Sequence, residues 1–157
     1  MPTMTDEQDV VTVERIIPAP AADIFAILRD PARHREIDGS GTVRDAKAGH
    51  ETLELGSSFG MSMKMGLPYS MVSTVIEFEP NRRIAWQTHG PGPLGRFVAG
   101  RIWRYELEPV EGGTRVRESW DIRKESFYTK PVVRLGAATT RDNMSKTLER
   151  IEELLAG

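Results

Sequence analysis

Three polar residues in the second half of the chain have side chains that together could perform acid–base chemistry: Arg101, Tyr105 and Glu118. A carboxylate can act as a general base, a phenol can donate a hydrogen bond, and a guanidinium can hold an oxyanion. Arg101 and Tyr105 are separated by an even number of positions, which in a β-strand puts both side chains on one face. We therefore take the three as candidate catalytic residues.

Glu118 belongs to an alternating stretch that predicts a strand from Thr114 to Arg123. One face of this strand is apolar apart from the carboxylate: Val116, Glu118, Trp120 and Ile122. Because the apolar residues should face a core, Glu118 should face inward with them. An isolated buried carboxylate costs several kcal/mol, so we expect Arg101 on the preceding strand to pair with Glu118. Such a pair has two interpretations, a structural ion pair or a catalytic one.

Aromatic and methionine side chains are expected to surround these polar groups. Alternation puts Trp86 and Trp103 on the inward faces of their own strands, so all three tryptophans should line one side of the sheet. A further alternating row contains Phe59, Met61, Met63 and Met65. Thioether side chains suit irregular apolar ligands. The alternative is ordinary core filling, since a core and a cavity wall use the same residue types.

Helical periodicity predicts one long helix from Pro131 to Ala156, a rod of roughly 38 Å. Its inward face is small at first, with Ala137 and Thr140, and bulky later, from Met144 to Leu155. We expect the small half to roof a cavity and the bulky half to seal a core. Alternatively, the small residues only allow a close approach to the sheet. The candidate ligand-binding residues are Phe59, Met61, Met63, Trp86, Arg101, Trp103, Tyr105, Glu118, Trp120, Ala137, Thr140 and Met144.

The remaining elements follow from apolar patterns interrupted by proline and glycine. A strand is expected at 11–17, a short helix at 20–28, a second helical turn at 31–37, and mostly β-structure from there to residue 124. This order is an α+β layout, in which one curved antiparallel sheet of about seven strands is wrapped around the long C-terminal helix. We expect a single domain over residues 1–157, with residues 1–9 disordered.

Composition argues against several classes of function. The chain has no cysteine, and its three histidines show no metal-ligand spacing, so we expect neither a metal site nor a cofactor. His34 and His50 are expected to be exposed, and His89 to lie beside a Gly/Pro-rich loop at 90–95 that is a candidate gate. The net charge of -2 argues against a nucleic-acid partner. No apolar run is long enough for integral membrane contact and the first residues lack a signal-peptide pattern, so we expect a cytoplasmic protein.

Several segments resemble the helix-grip fold of the START/SRPBCC superfamily, in its polyketide cyclase/dehydrase-like branch. The resemblance covers nearly the whole chain and is carried by the segments 13–28, 30–34, 79–86, 103–109 and 111–116, together with the last helix. It implies two short helices after the first strand and a ligand cavity between the sheet and the C-terminal helix.

Two functions remain open at this point. The apolar lining indicates binding or carriage of a small hydrophobic ligand that is lipid-like or polyketide-like. The resemblance implies an alternative, a polyketide cyclase or dehydratase that uses Glu118, Arg101 and Tyr105 in the same cavity. A third and weaker interpretation is a partner-binding module of a regulatory system.

Overall fold

The computed structural model describes residues 9–37, 43–46, 52–65, 67–89, 99–125 and 130–156. Within these ranges one antiparallel sheet has seven strands in the order β1-β7-β6-β5-β4-β3-β2. Their bounds are β1 Val10–Ile17, β2 Val43–Ala46, β3 Ser58–Met65, β4 Leu67–Glu79, β5 Arg83–His89, β6 Ala99–Val110 and β7 Gly113–Asp121. Strands β2 to β7 each pair with the next along the chain, and β1 pairs with β7.

Helical elements cover one face of the sheet, which we call the inner face. They are α1 Ala21–Leu28, α2 His34–Ile37, α3 Lys130–Arg134 and α4 Ala137–Ala156, with a 3₁₀ turn at Pro31–Arg33 before α2. The long helix α4 packs against β1, α1 and α2. The α+β helix-grip architecture expected from the sequence is confirmed.

Local chemistry fixes the two short helices after β1. The apolar face of α1 is buried through Ile24, Phe25, Ile27 and Leu28. The Asp30 side chain accepts a hydrogen bond of 3.0 Å from the backbone N–H of Ala32. This cap and Pro31, whose ring favours the first helical turn, start the 3₁₀ turn that leads into α2.

The bulky half of α4 seals the main core. Leu148 and Ile151 are fully buried against residues of the sheet and of α1. One to two turns earlier, Met144 belongs to a second apolar cluster with Val11, Trp120 and Ile122, and Ala137 lies at the edge of that cluster. The change from small to bulky residues along α4 therefore coincides with a change in what the helix packs against.

The expectation of one unbroken C-terminal helix is wrong. Helix α3 ends at Arg134, a turn follows at Leu135 and Gly136, and α4 starts at Ala137. Arg134 is bound elsewhere, since its Nε lies 2.7 Å from the carboxylate of Asp9. Asp9 is 3% exposed, so the expected disorder of residues 1–9 does not hold for this residue. Residues 1–8 lie outside the described part of the chain.

The outer face of the sheet carries charge pairs that follow its register. Arg104 binds Glu77, Arg83 binds Glu106, and Arg117 binds Glu14 on β1. The Arg104 hydrogen bond holds the pKa of the Glu77 carboxyl below its usual value. Among the described helices, none has the length and apolar character needed to cross a membrane.

Candidate functional site

The three tryptophans lie in one row across the inner face, as alternation along the strands predicts. Trp86 on β5 is directly opposite Trp103 on β6, and Trp103 is directly opposite Trp120 on β7. The ring centroids of Trp103 and Trp120 are 6.4 Å apart. We call Trp86, Trp103 and Trp120 the tryptophan row. It gives the inner face a broad aromatic surface.

A buried carboxylate lies next to this row. Glu118 is directly opposite Tyr105 in the β6–β7 pairing, and the Tyr105 Oη donates a hydrogen bond of 2.6 Å to Glu118 Oε1. Glu118 is 2% exposed and Tyr105 is 5% exposed. A hydrogen bond to a carboxylate is stronger than one between neutral groups, which helps to offset the cost of burial. Glu118 therefore faces inward, as the sequence predicts.

The structure pairs Arg101 with a different carboxylate from the one expected. Arg101 Nε lies 3.4 Å from Glu125 Oε2, whereas Glu118 is level with Tyr105. The four-residue offset between Arg101 and Tyr105 corresponds to about 13 Å along a strand. The Glu125 side chain is completely buried, and sequence analysis missed it because the alternating pattern ends before it. Placing the two-residue turn of the β6–β7 hairpin at Glu111 and Gly112 would have revealed the offset.

Gly100 allows Glu125 to approach Arg101. A Cβ at position 100 would lie 2.0 Å from the Lys124 carbonyl oxygen and 2.5 Å from the Glu125 Cα. Gly100 also has a φ of 118°, which disfavours any residue with a side chain. The chain that follows β7 therefore runs directly over the start of β6, and this contact fixes Glu125 beside Arg101.

A row of polar residues lies beside the tryptophan row. Thr88 is directly opposite Arg101, and Ser73 on β4 is directly opposite Thr88. The hydroxyl oxygens of Ser73 and Thr88 are 2.8 Å apart, and both residues are buried. We call Ser73, Thr88 and Arg101 the polar row. It gives the inner face hydrogen-bonding groups on one side of an otherwise aromatic surface.

His34 was expected to be exposed, and this expectation is wrong. Its side chain is buried, and its ring stacks on Trp86 with centroids 5.1 Å apart. Its Nε2 lies 2.8 Å from the Leu28 carbonyl oxygen, and a carbonyl only accepts, so Nε2 carries the hydrogen. The signal in the sequence is the spacing of Pro31, His34 and Ile37, which share one helical face and are all buried. The expectations for His50 and for the loop at 90–95 lie outside the described residues.

The candidate ligand-binding residues divide by burial. Six are buried: Phe59, Trp86, Tyr105, Glu118, Trp120 and Met144. Four are half-buried: Arg101, Trp103, Ala137 and Thr140. Met61 and Met63 alternate with Phe59 on β3 and are opposite Met71 and Tyr69, and their side chains lie outside the described part of the structure. Trp103 and Ala137 both pack against the second apolar cluster, one from the sheet and the other from the start of α4.

No group of His, Cys, Asp or Glu side chains among the described residues is arranged to hold a metal ion.

Comparison with known proteins is decisive for the family. A model of the family described as polyketide cyclase / dehydrase and lipid transport matches residues 8–156. The chain belongs to this family. The resemblance to the START/SRPBCC superfamily and its polyketide cyclase-like branch is thereby confirmed.

Individual members and structural neighbours extend this finding. The uncharacterized protein Rv0088 of Mycobacterium tuberculosis is 45% identical over 107 residues, which are 67% of this chain and 44% of that protein. The chain thus spans less than half the length of this relative. A solution structure of a protein from Arthrobacter aurescens has a TM-score of 0.72 at 16% identity, covering 96% of this chain and 87% of the other. DynU16, from the dynemicin biosynthetic locus, has a TM-score of 0.65 at 17% identity, covering 94% and 47%. These two likenesses concern the fold alone.

Proposed function

We propose that this protein binds or carries a small hydrophobic molecule, lipid-like or polyketide-like, between the inner face of the sheet and the start of α4. The observation that carries the proposal is the unequal burial of the tryptophan row. Trp86 and Trp120 are 9% and 3% exposed, whereas Trp103 between them is only half-buried. An indole that is accessible in the middle of an inner face is a surface for an apolar ligand to cover.

The small residues at the start of α4 support the proposal. Ala137 and Thr140 on α4 are short and half-buried, and Ala137 packs against the same apolar cluster as Trp103. The bulky Leu148 and Ile151 close the other end of the same helix. The family description also includes lipid transport, and DynU16 belongs to a biosynthetic locus.

The test uses Nile red, a neutral dye whose emission increases in an apolar environment. We expect the wild-type protein to bind the dye and Ala137→Trp to lower its affinity by at least about tenfold, because the added indole would occupy the proposed ligand space at the apolar cluster that Ala137 and Trp103 both border. Ala138→Trp is the matched control, since Ala138 is the adjacent helical residue and is exposed. Thermal unfolding of both variants checks that the fold is retained. Equal affinities for the two folded variants, or no binding by the wild-type protein, would contradict the proposal.

The bond between Tyr105 and Glu118 favours a second function, a polyketide cyclase or dehydratase. A buried carboxylate held by a phenol beside an apolar space is suited to remove a proton from carbon between two carbonyl groups. The substrate for the test is an N-acetylcysteamine thioester of a linear poly-β-ketone. Liquid chromatography separates a cyclised product from unreacted substrate of the same mass, and mass spectrometry identifies loss of water. If this function is correct, Glu118→Gln should lose at least about a hundredfold in turnover and keep its Nile red affinity. Absence of turnover by the wild-type protein would leave the binding function alone.

A further inference from the structure

The polar row lies at one side of the proposed ligand space. Its charged member, Arg101, is paired with Glu125. The Arg101 side chain is 27% exposed, and the Glu125 side chain is 0% exposed. Arg101 therefore contacts a buried carboxylate and is itself partly accessible. Its positive charge is paired with the Glu125 carboxylate, whose Oε2 lies 3.4 Å from the Arg101 Nε.

The geometry of this pair leaves guanidinium donors available to a ligand. A guanidinium has five N–H donors in a planar fork, and within the described structure Arg101 forms its ion pair with Glu125 through Nε. The distance exceeds that of a normal charge-assisted hydrogen bond, and within the described structure the Arg101 Nε has no hydrogen-bond partner. The contact with Glu125 is made by Nε, and Arg101 lies directly opposite Thr88 in the β5–β6 pairing, on the same face of the sheet.

Because the ion pair of Arg101 and Glu125 has no net charge, its remaining N–H donors suit one class of ligand group. A carbonyl oxygen accepts hydrogen bonds and brings no charge of its own. A carboxylate would have to shed water and then lie in the field of the fixed Glu125 carboxylate, in a partly buried site where charges interact strongly. The pairing of Arg101 with Glu125 therefore disfavours an anion and leaves hydrogen bonding to a neutral acceptor intact.

We propose that the polar row binds a neutral carbonyl oxygen of an otherwise apolar ligand, and that Glu125 determines this specificity by excluding anionic ligands. The ligand class is accordingly a ketone or ester on an apolar body, in preference to a free carboxylic acid of the same shape. The inference rests on the proposed binding function and specifies its ligand.

The test compares three probes of nearly equal shape: 2-acetylnaphthalene, 2-ethylnaphthalene and 2-naphthoate. They carry a ketone, a hydrocarbon group and a carboxylate on the same ring system. Affinities are measured by displacement of Nile red and by calorimetry. Ratios of affinities between probes are compared across variants, so that differences in probe hydrophobicity cancel.

Arg101→Met should lower the ratio of ketone affinity to hydrocarbon affinity by about tenfold, because a hydrogen bond from a charged donor is lost. Arg115→Met is the matched control, since Arg115 lies on the outer face of β7 and pairs with Glu108 there. Thr88→Val, which removes a hydroxyl and keeps the shape, should lower the same ratio by a smaller factor. It provides an independent result if Arg101→Met does not fold.

Glu125→Gln gives a result that a purely structural role would not produce. Removing the buried charge should raise the ratio of naphthoate affinity to ketone affinity by about tenfold. An unchanged ratio in a folded Glu125→Gln protein would overturn the role assigned to Glu125. A ketone-to-hydrocarbon ratio that survives Arg101→Met, or tighter binding of naphthoate than of the ketone by the wild-type protein, would overturn the carbonyl site.

The two proposals fail in different ways. If the wild-type protein binds Nile red and 2-ethylnaphthalene but shows no contribution of Arg101 to ketone binding, only the carbonyl site is refuted. If the wild-type protein binds neither Nile red nor any of the three naphthalenes, the hydrophobic ligand space itself is refuted and the carbonyl site with it.

Discussion

At the scale of single residues, the contact with the largest expected effect on stability is the one between Tyr105 and Glu118. Both side chains are buried, and their oxygens are 2.6 Å apart. A buried carboxylate that loses a hydrogen-bond donor loses part of the interaction that offsets its desolvation. Loss of the tyrosine hydroxyl should therefore lower the free energy of unfolding by far more than its small size suggests.

We expect Tyr105→Phe to lower the free energy of unfolding by about 1.5–3 kcal/mol, measured by urea denaturation at neutral pH. Ser58→Ala is the control, because the Ser58 hydroxyl also makes a side-chain hydrogen bond, to the Thr74 hydroxyl, but at an exposed position. Its loss should cost less than about 0.5 kcal/mol. Equal effects of the two substitutions would show that burial does not increase the contribution of the Tyr105–Glu118 hydrogen bond to stability.

The sequence predicted which way inner-face residues point but not which ones meet. Alternation with period two correctly put Glu118 and Trp120 on the buried face. The pairing of Arg101 depends on strand register and on a residue beyond the strand, Glu125, and a two-residue period contains information about neither. His34 was missed because a lone histidine between charged residues looks exposed until the helical turn around it is placed.

At the scale of elements, two glycines with opposite requirements determine how the chain passes over the sheet. Gly100 lies where the chain after β7 crosses the start of β6, with backbone atoms closer than any Cβ allows. Gly136 lies in the turn between α3 and α4, where a Cβ would be 3.5 Å from the Val133 carbonyl oxygen, an ordinary contact. The crossing thus requires glycine, and the helix break does not.

We expect Gly100→Ala to destabilise the protein by at least about 2 kcal/mol, through backbone strain and displacement of the 124–125 segment. Gly136→Ala should be neutral or stabilising by up to about 1 kcal/mol, since alanine restricts the unfolded chain. Thermal unfolding of the two variants measures both effects. A tolerated Gly100→Ala would mean that the crossing can move away from Arg101, and the ketone-to-hydrocarbon ratio of that variant would then be informative.

Helical periodicity located the C-terminal helix and missed its interruption. The pattern of apolar residues in α4 continues far enough that a single rod from Pro131 fits it. The break falls at Leu135 and Gly136, next to Arg134, which binds Asp9 in a contact across most of the chain that a local pattern does not contain. Long-range contacts of this kind are why helix boundaries are harder to predict than helices themselves.

At the scale of the whole molecule, the contact between Asp9 and Arg134 joins the beginning of the described chain to its last quarter. Arg134 binds Asp9 through Nε and Nη2, and Lys130 also lies 4.0 Å from the same carboxylate. The hydrogen bond from Arg134 holds the pKa of the Asp9 carboxyl below its ordinary value of 3.8. The contact keeps α3 against the end of the sheet near Ile122, whose N–H bonds to the Asp9 carbonyl oxygen.

This contact makes part of the stability depend on pH. A carboxyl with a lowered pKa in the folded state contributes stability above its unfolded-state pKa, and loses it as the pH falls through the folded-state value. Asp9→Asn should therefore be less stable than the wild type at neutral pH, with the difference shrinking below about pH 4. Chemical denaturation between neutral and acidic pH measures it. Asp142→Asn, at an exposed position on α4, serves as control, and a pH-independent difference for Asp9→Asn would contradict the assignment.

The tryptophan row has an optical consequence. The sequence contains three tryptophans, and all of them belong to this row. Ultraviolet light at the red edge of protein absorption excites only tryptophan, and therefore only side chains of the tryptophan row. With ring centroids 6.4 Å apart in the Trp103–Trp120 pair, excitation can pass between neighbouring indoles before emission. We expect the half-buried Trp103, as the most solvent-accessible indole of the row, to determine the emission wavelength. A ligand that binds against Trp103 should therefore shift the intrinsic fluorescence of the unlabelled protein.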